Sequence, residues 1–254
     1  MVYGIEKFKE YFEEYTGQYV FIGGTACSIL LDDIGEDFRA TKDLDIVLLI
    51  EEIDENFGEV FWDFIKEGEY QHIQKSTGKD QFYRFEKPKR NDFPFMIELF
   101  SRKSDKFSLR FESELIPIHL SEDIQSLSAI LLNDDYYEIL VKGKSVVDGY
   151  SVLGIECILL FKMKAWMDLL ERKENGERID SKNIKKHKND IFRLLAYVNP
   201  DSSIIVNDEV KKDIEVFLDK IPNESIDLTN LGLRNYKLDH LLDMIRKIYK
   251  KSIY

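Results

Sequence analysis

The chain has 254 residues, 44% of them hydrophobic, which suits one large core or two smaller ones and excludes a disordered chain. Its 36 Lys and Arg stand against 48 Asp and Glu, a formal net charge of −12, so the surface repels bulk nucleic acid and anionic membranes, and any nucleic-acid contact must be local. No apolar run approaches the roughly 20 residues that cross a bilayer. The first residues read as neither a signal nor a transit peptide. Cys27 and Cys157 lack metal-site spacing and fit a reducing compartment, so the cytoplasm is the expected location, with no membrane partner.

In chain order, residues 5–15 have the pattern of an amphipathic helix. Tyr19-Val20-Phe21-Ile22 reads as a short strand ended by a Gly23-Gly24 turn, with a helix over 25–32. Residues 44–50 are apolar except for Asp45 and read as a buried central strand, followed by a helix over 55–67. Residues 81–86 and 93–100 read as strands joined by the basic loop 87–92, and 137–141 with 145–147 as a hairpin around Lys142-Gly143-Lys144. Composition shifts near residue 150. Beyond it, helices are expected over 155–172, from Asp180 or Ser181 to 198, over 207–220 and over 236–251. The expected class is α+β, with an N-terminal α+β domain over 1–150 and a helical C-terminal domain over 151–254. Trp62 and Trp166 read as core.

Asp43 and Asp45 lie two apart at the start of the central strand, so they project from the same side. Like charges this close are costly unless something neutralises them, and a divalent cation does so. Glu98 stands alone among apolar residues on a later strand and is the candidate third carboxylate; Pro94 marks an edge strand or a strand's start. Gly23-Gly24-Thr25 opens a helix, where glycine lets a ligand approach the backbone and free N–H groups favour phosphate. Each element has a plainer reading. Asp43 can be a turn residue, Asp45 a partner of Lys42 or Arg39, Thr25 a helix N-cap, and Glu98 an outward-facing residue of an edge strand. The basic groups Lys87, Lys89 and Arg90; Arg102, Lys103, Lys106 and Arg110; and Lys182, Lys185, Lys186 and Lys188 can be solvated faces.

Together, Gly-Gly-Thr, Asp-x-Asp and a later carboxylate resemble the DNA polymerase β-type nucleotidyltransferase superfamily. Gly23-Gly24-Thr25-Ala26 followed by Arg39-Ala40-Thr41-Lys42-Asp43-Leu44-Asp45 looks most like the AbiEii/AbiGii toxin-type members. Residues 161–173 are similar to that family's lysine-bearing helix, and 185–194 to its later basic-plus-Asp motif, so the resemblance spans about 18–200. It implies a polymerase β-like core with a mixed sheet flanked by helices. It assigns Asp43, Asp45 and Glu98 to Mg²⁺ or Mn²⁺. Gly23, Gly24 and Thr25 become the phosphate turn, with Arg39 and Thr41 as lead-in residues. Lys162 or Lys164 would reach the nucleotide, and Lys188 with Asp190 would form the later motif. Asn189 separates Lys188 from Asp190 where the family places the basic residue directly before Asp, and the third carboxylate is Glu where Asp is commoner.

The residues alone leave plainer partners open here too: Lys164 with Asp168, Asp190 with Lys186 or Arg193, and His187 as an interface histidine. The implied activity is transfer of a nucleotidyl group from a nucleoside triphosphate to a hydroxyl of RNA, tRNA included, or of protein. The implied setting is the toxin side of a toxin–antitoxin or phage-defence pair, with an antitoxin encoded nearby. The rivals are a nucleotide-binding sensor or degenerate transferase without catalysis, and an acidic interaction protein.

Overall fold

The computed structural model describes residues 2–38, 41–77, 80–102, 127, 130–131 and 133–251. They form two compact units. The first comprises the described residues up to 102 and Val141–Gly154; the second comprises those from 127 to Leu140 and from Ile155 onward.

In the first unit, helix α1 (Ile5–Phe12) and a 3-10 turn (Glu13–Tyr15) lead into β1 (Tyr19–Phe21). There follow α2 (Gly23–Asp33), β2 (Asp43–Leu48), α3 (Glu55–Glu67), β3 (Gln71–Thr77), β4 (Asp80–Glu86), β5 (Met96–Arg102) and, later in the chain, β6 (Lys144–Val147) and β7 (Tyr150–Leu153). The seven strands make one mixed sheet in the order β3-β4-β5-β2-β1-β7-β6. The β2–β5 and β1–β7 pairs are parallel and the others antiparallel.

Strand alternation divides this sheet into two chemically different faces. Registers Tyr19↔Leu48, Phe21↔Ile46, Ile46↔Leu99 and Leu44↔Ile97, continued by Tyr83↔Leu99 and Phe85↔Ile97, set one apolar face. Phe8 and Phe12 of α1 and Phe57, Phe61 and Phe64 of α3 stack with one another and with Tyr19, Phe21 and Phe85 to cover it. The intervening positions, Asp43, Asp45, Glu98 and Arg84, belong to the other face. Helix α2 packs against β2, β6 and β7.

The second unit holds α4 (Asp134–Lys142, most of it), α5 (Ile155–Glu174), α6 (Ser181–Leu195), β8 (Ile204–Val206), α7 (Asp208–Lys220), a 3-10 turn (Ile221–Asn223), α8 (Leu238–Ile248) and β9 (Tyr249–Lys251). Helix α5 is buried over most of its length, packing on α6 and α7. Trp166 is fully buried and edge-on to Phe217 at 5.4 Å. Asp180 caps α6 through Lys182 N–H at 2.9 Å, and Asn207 caps α7 through Val210 N–H at 3.0 Å.

Several local expectations are corrected. Residues 134–142 are helical rather than half of a hairpin: Tyr136, Tyr137, Ile139 and Leu140 are buried at helical spacing, and the Asn133 side chain accepts from the N–H groups of Asp135 and Tyr136. The hairpin lies next door, where β6 and β7 turn through Asp148 and Gly149 at φ 46° and 78°, the positive values that an Asp-Gly turn supplies. Gly23 and Gly24 belong to the first turn of α2, with Ile22 rather than Thr25 as N-cap. Glu98 lies on β5, which has neighbours on both sides, so it is not an edge residue, and Pro94 precedes the strand. Strand β3 and the parallel β8–β9 pair have no counterpart in the sequence reading. Trp62 is half-buried rather than core, lying edge-on to Phe61 and Phe85.

Candidate functional site

Three side chains line up across the centre of the sheet in the first unit. Asp45 on β2 is in register with Glu98 on β5, and Glu98 with Arg84 on β4. In-register cross-strand neighbours share a face, so Arg84, Glu98 and Asp45 form a row, with Asp43 two residues along β2 on the same side. Leu44 and Ile46 anchor β2 in the core, while Asp43 and Asp45 keep partial access to solvent.

The N-terminus of α2 is fixed against this row. Ile22 donates its N–H to the Asp45 carbonyl at 3.0 Å. Thr25, fully buried, donates its hydroxyl to the Asp43 carbonyl at 2.7 Å and accepts from the Asp45 N–H at 3.4 Å. Thr25 therefore clasps helix to strand. Gly23 is left-handed at φ 59°, and a Cβ there would fall 2.5 Å from Asp45 Oδ2. The carboxylate thus lies against the backbone at the helix start, an approach only glycine permits. A Cβ on Gly24 would meet the Thr41 side chain at 3.2 Å. Arg39 lies outside the described residues.

Gly23→Ala is expected to lower stability by about 1–2 kcal/mol from the left-handed backbone alone and to displace the Asp45 carboxylate. Thermal unfolding beside Gly17→Ala, whose Cβ would meet nothing within 4 Å, checks this; equal midpoints for the two variants would refute it.

Glu98 is 8% exposed and is held by Arg84, whose Nε and Nη2 both donate to Oε1, at 3.0 and 2.6 Å. Burial pushes the Glu98 carboxyl above its ordinary value. The Arg84 charge and hydrogen bonds oppose this, the Asp43 charge adds to it, and a hydrogen bond with Asp45 works against it. Among the described residues no group of three or more His, Cys, Asp or Glu is arranged to hold a metal ion. Asp43 and Asp45 present carboxylate oxygens from one side of β2, a pair that would fit Mg²⁺ or Mn²⁺, since such ions commonly bind through one or two carboxylates plus substrate phosphates. Arg84 was missed in the sequence. Its signal was a charge set between the buried Tyr83 and Phe85, but its partner depends on the register of β4 with β5.

Lys162, Lys164 and Lys188 of the second unit have protein partners. Lys162 and Asp190 form a buried pair at 2.9 Å, 6% and 0% exposed, joining α5 to α6; Arg193 adds a longer contact to Asp190 at 3.8 Å. Lys164 bonds Asp213 at 2.7 Å rather than Asp168, which contacts Arg172 at 3.6 Å. Lys188 bonds Glu224 and the Ser225 carbonyl at 2.6 and 3.0 Å, and His187 is buried. The basic loop 87–92 is laced to acids: Lys87 to Glu86, Lys89 to Glu69, and Arg90 to Glu67 and Asp92. Lys103, Lys106 and Arg110 lie outside the described residues. Both cysteines are buried and unbridged. No helix among the described residues is long and apolar enough to cross a membrane.

No family model matches the chain, and no curated protein matches it by sequence. Two solved structures are similar to it. One is an antigenic nucleotidyltransferase-like protein from Paracoccidioides brasiliensis, 15% identical, covering 89% of this chain and 88% of that one at a TM-score of 0.38. The other is JHP933 from Helicobacter pylori, 17% identical, covering 96% of this chain and 88% of that one at a TM-score of 0.34. Both likenesses are loose, and the site is read from its own geometry.

Proposed function

We propose that the chain is a Mg²⁺- or Mn²⁺-dependent nucleotidyltransferase. The observation that carries this reading is the Asp45 carboxylate seated against the left-handed backbone of Gly23 where α2 begins. A carboxylate oxygen beside a helix N-terminus, whose first N–H groups lack intrahelical acceptors, supports a site for a cation with phosphate. Asp43 and Asp45 would hold the cation, and Gly23, Gly24 and the backbone of Thr25 would receive the triphosphate. A bound cation would neutralise charge on the phosphates.

In the transfer, the acceptor hydroxyl oxygen bonds to the α-phosphorus, the bond to the bridging oxygen breaks and pyrophosphate leaves. Glu98, its carboxyl raised by burial, is the candidate acceptor of the hydroxyl proton. Lys162 and Asp190, placed near the nucleotide by the family resemblance, are here assigned to each other. Lys164 and Lys188 remain candidates for nucleotide contacts only if they exchange Asp213 and Glu224 for phosphate. The motif resemblance supports RNA, tRNA included, or protein as acceptor, the toxin half of a toxin–antitoxin or phage-defence pair as the role, and a nearby antitoxin as partner; the two unbridged cysteines support the cytoplasm as location.

Incubation with each α-labelled nucleoside triphosphate, Mg²⁺ and total cellular RNA tests the reading. Label entering RNA, or the protein fraction, is the expected result and identifies the acceptor class. Nucleotide binding with no label in any fraction would instead support the sensor or degenerate transferase.

A further inference from the structure

We infer that Arg84 makes this a one-cation site by holding Glu98 out of the metal-ligand set. The inference rests on the proposed metal site and concerns how many cations it takes. Three carboxylates, Asp43, Asp45 and Glu98, face the same way at the sheet centre. Three such groups would ordinarily attract two divalent ions, the arrangement that clamps both attacking and leaving oxygens. One guanidinium intervenes. Arg84 lies in register with Glu98, both side chains are largely buried, and two N–H groups converge on Oε1.

The charge at the row's far end is thereby supplied by a protein cation that cannot leave. Arginine remains protonated at any working pH, and its planar fork sets the direction of the carboxylate it grips. The carboxylates the row then offers a divalent ion are Asp43 and Asp45, a set that one ion would take. Arg84 is in these terms a positioning residue: it keeps Glu98 beside Asp45, available to a proton rather than to a metal.

Mn²⁺ alone is the probe, counted from the free-ion electron paramagnetic resonance signal, with Asp43→Asn/Asp45→Asn subtracted as the background of an acidic surface. Wild-type protein is expected to bind one Mn²⁺ above that background. Arg84→Gln, which keeps a donor near Glu98 but removes the charge, is expected to bind a second ion or to hold the first about tenfold more tightly. Arg84→Ala should do the same if it folds. Arg84→Lys restores the charge and should behave as wild type, and Arg84→Gln/Glu98→Gln should return to one ion. Two ions on the wild-type protein, an unchanged Arg84→Gln, or a double variant that keeps the gain would overturn the inference while leaving the metal site standing. If wild type and the Asp43/Asp45 background bind alike, the metal-dependent reading itself fails, and the inference with it.

Discussion

Asp45→Asn is expected to cut nucleotidyl transfer by on the order of 10³-fold without unfolding the protein. The substitution keeps size and shape, so the fit against Gly23 survives. It removes one of the two charges that would hold the cation, and an amide oxygen binds a hard divalent ion far less well than a carboxylate does. Its effect on stability has the opposite sign. Asp45 stands beside Asp43 on its own strand and Glu98 on the next, with Arg84 bonded to the latter, so neutralising it relieves repulsion. The thermal midpoint should therefore stay level or rise while label transfer disappears. Transfer retained above about a tenth of wild type would remove Asp45 from the reaction. If the toxin reading holds, growth inhibition on expression vanishes in parallel; an acidic interaction protein would keep its cellular effect.

Lys162→Ala and Asp190→Ala are each expected to destabilise the second unit by about 3–5 kcal/mol, because each removes the close partner of a buried charge. The pair joins α5 to α6 at 2.9 Å with almost no solvent contact. For a unit of roughly this size the loss corresponds to a fall in Tm on the order of 10–20 °C. Lys162→Met/Asp190→Leu, which removes both charges and keeps apolar bulk, should recover most of it. Trp166, fully buried on α5, reports this unit in a Trp62→Phe background that silences the tryptophan of the other unit. A Lys162→Ala protein that is as stable as wild type yet inactive would return Lys162 to the nucleotide.

The legible parts of the sequence were those with local causes. Alternating or continuous apolar runs located β1, β2, β4 and β5. The helix expected over 55–67 is α3, and its start is fixed locally by Asp54, which accepts from the Phe57 N–H at 2.8 Å. The Asp-x-Asp pair announced its shared face through strand period alone. Residues 134–142 misled because Tyr137-Glu138-Ile139-Leu140-Val141 is a short run rich in aromatic and β-branched residues like a strand, while the helix is stabilised by Asn133 and by burial. Strand β3 and the β8–β9 pair escaped because Gln71–Thr77 is too polar to signal itself, and three-residue strands exist only by pairing. In the site, the Thr25 clasp and the Arg84–Glu98 pair depend on registers between distant segments, which no local pattern encodes.

Strand β7 follows β1 in space but not in sequence: Phe21 pairs with Val152, and β1 is buried at all three of its residues. On the ribosome, then, one flank of Tyr19-Val20-Phe21 stays open until residues 150–153 emerge, long after β2 and β5 have been made. An unpaired apolar edge of this kind invites pairing with other nascent chains. Premature termination or proteolysis before this segment would leave an aggregation-prone remnant, and any fragment intended to carry the two aspartates must include Val141–Gly154 to close its sheet.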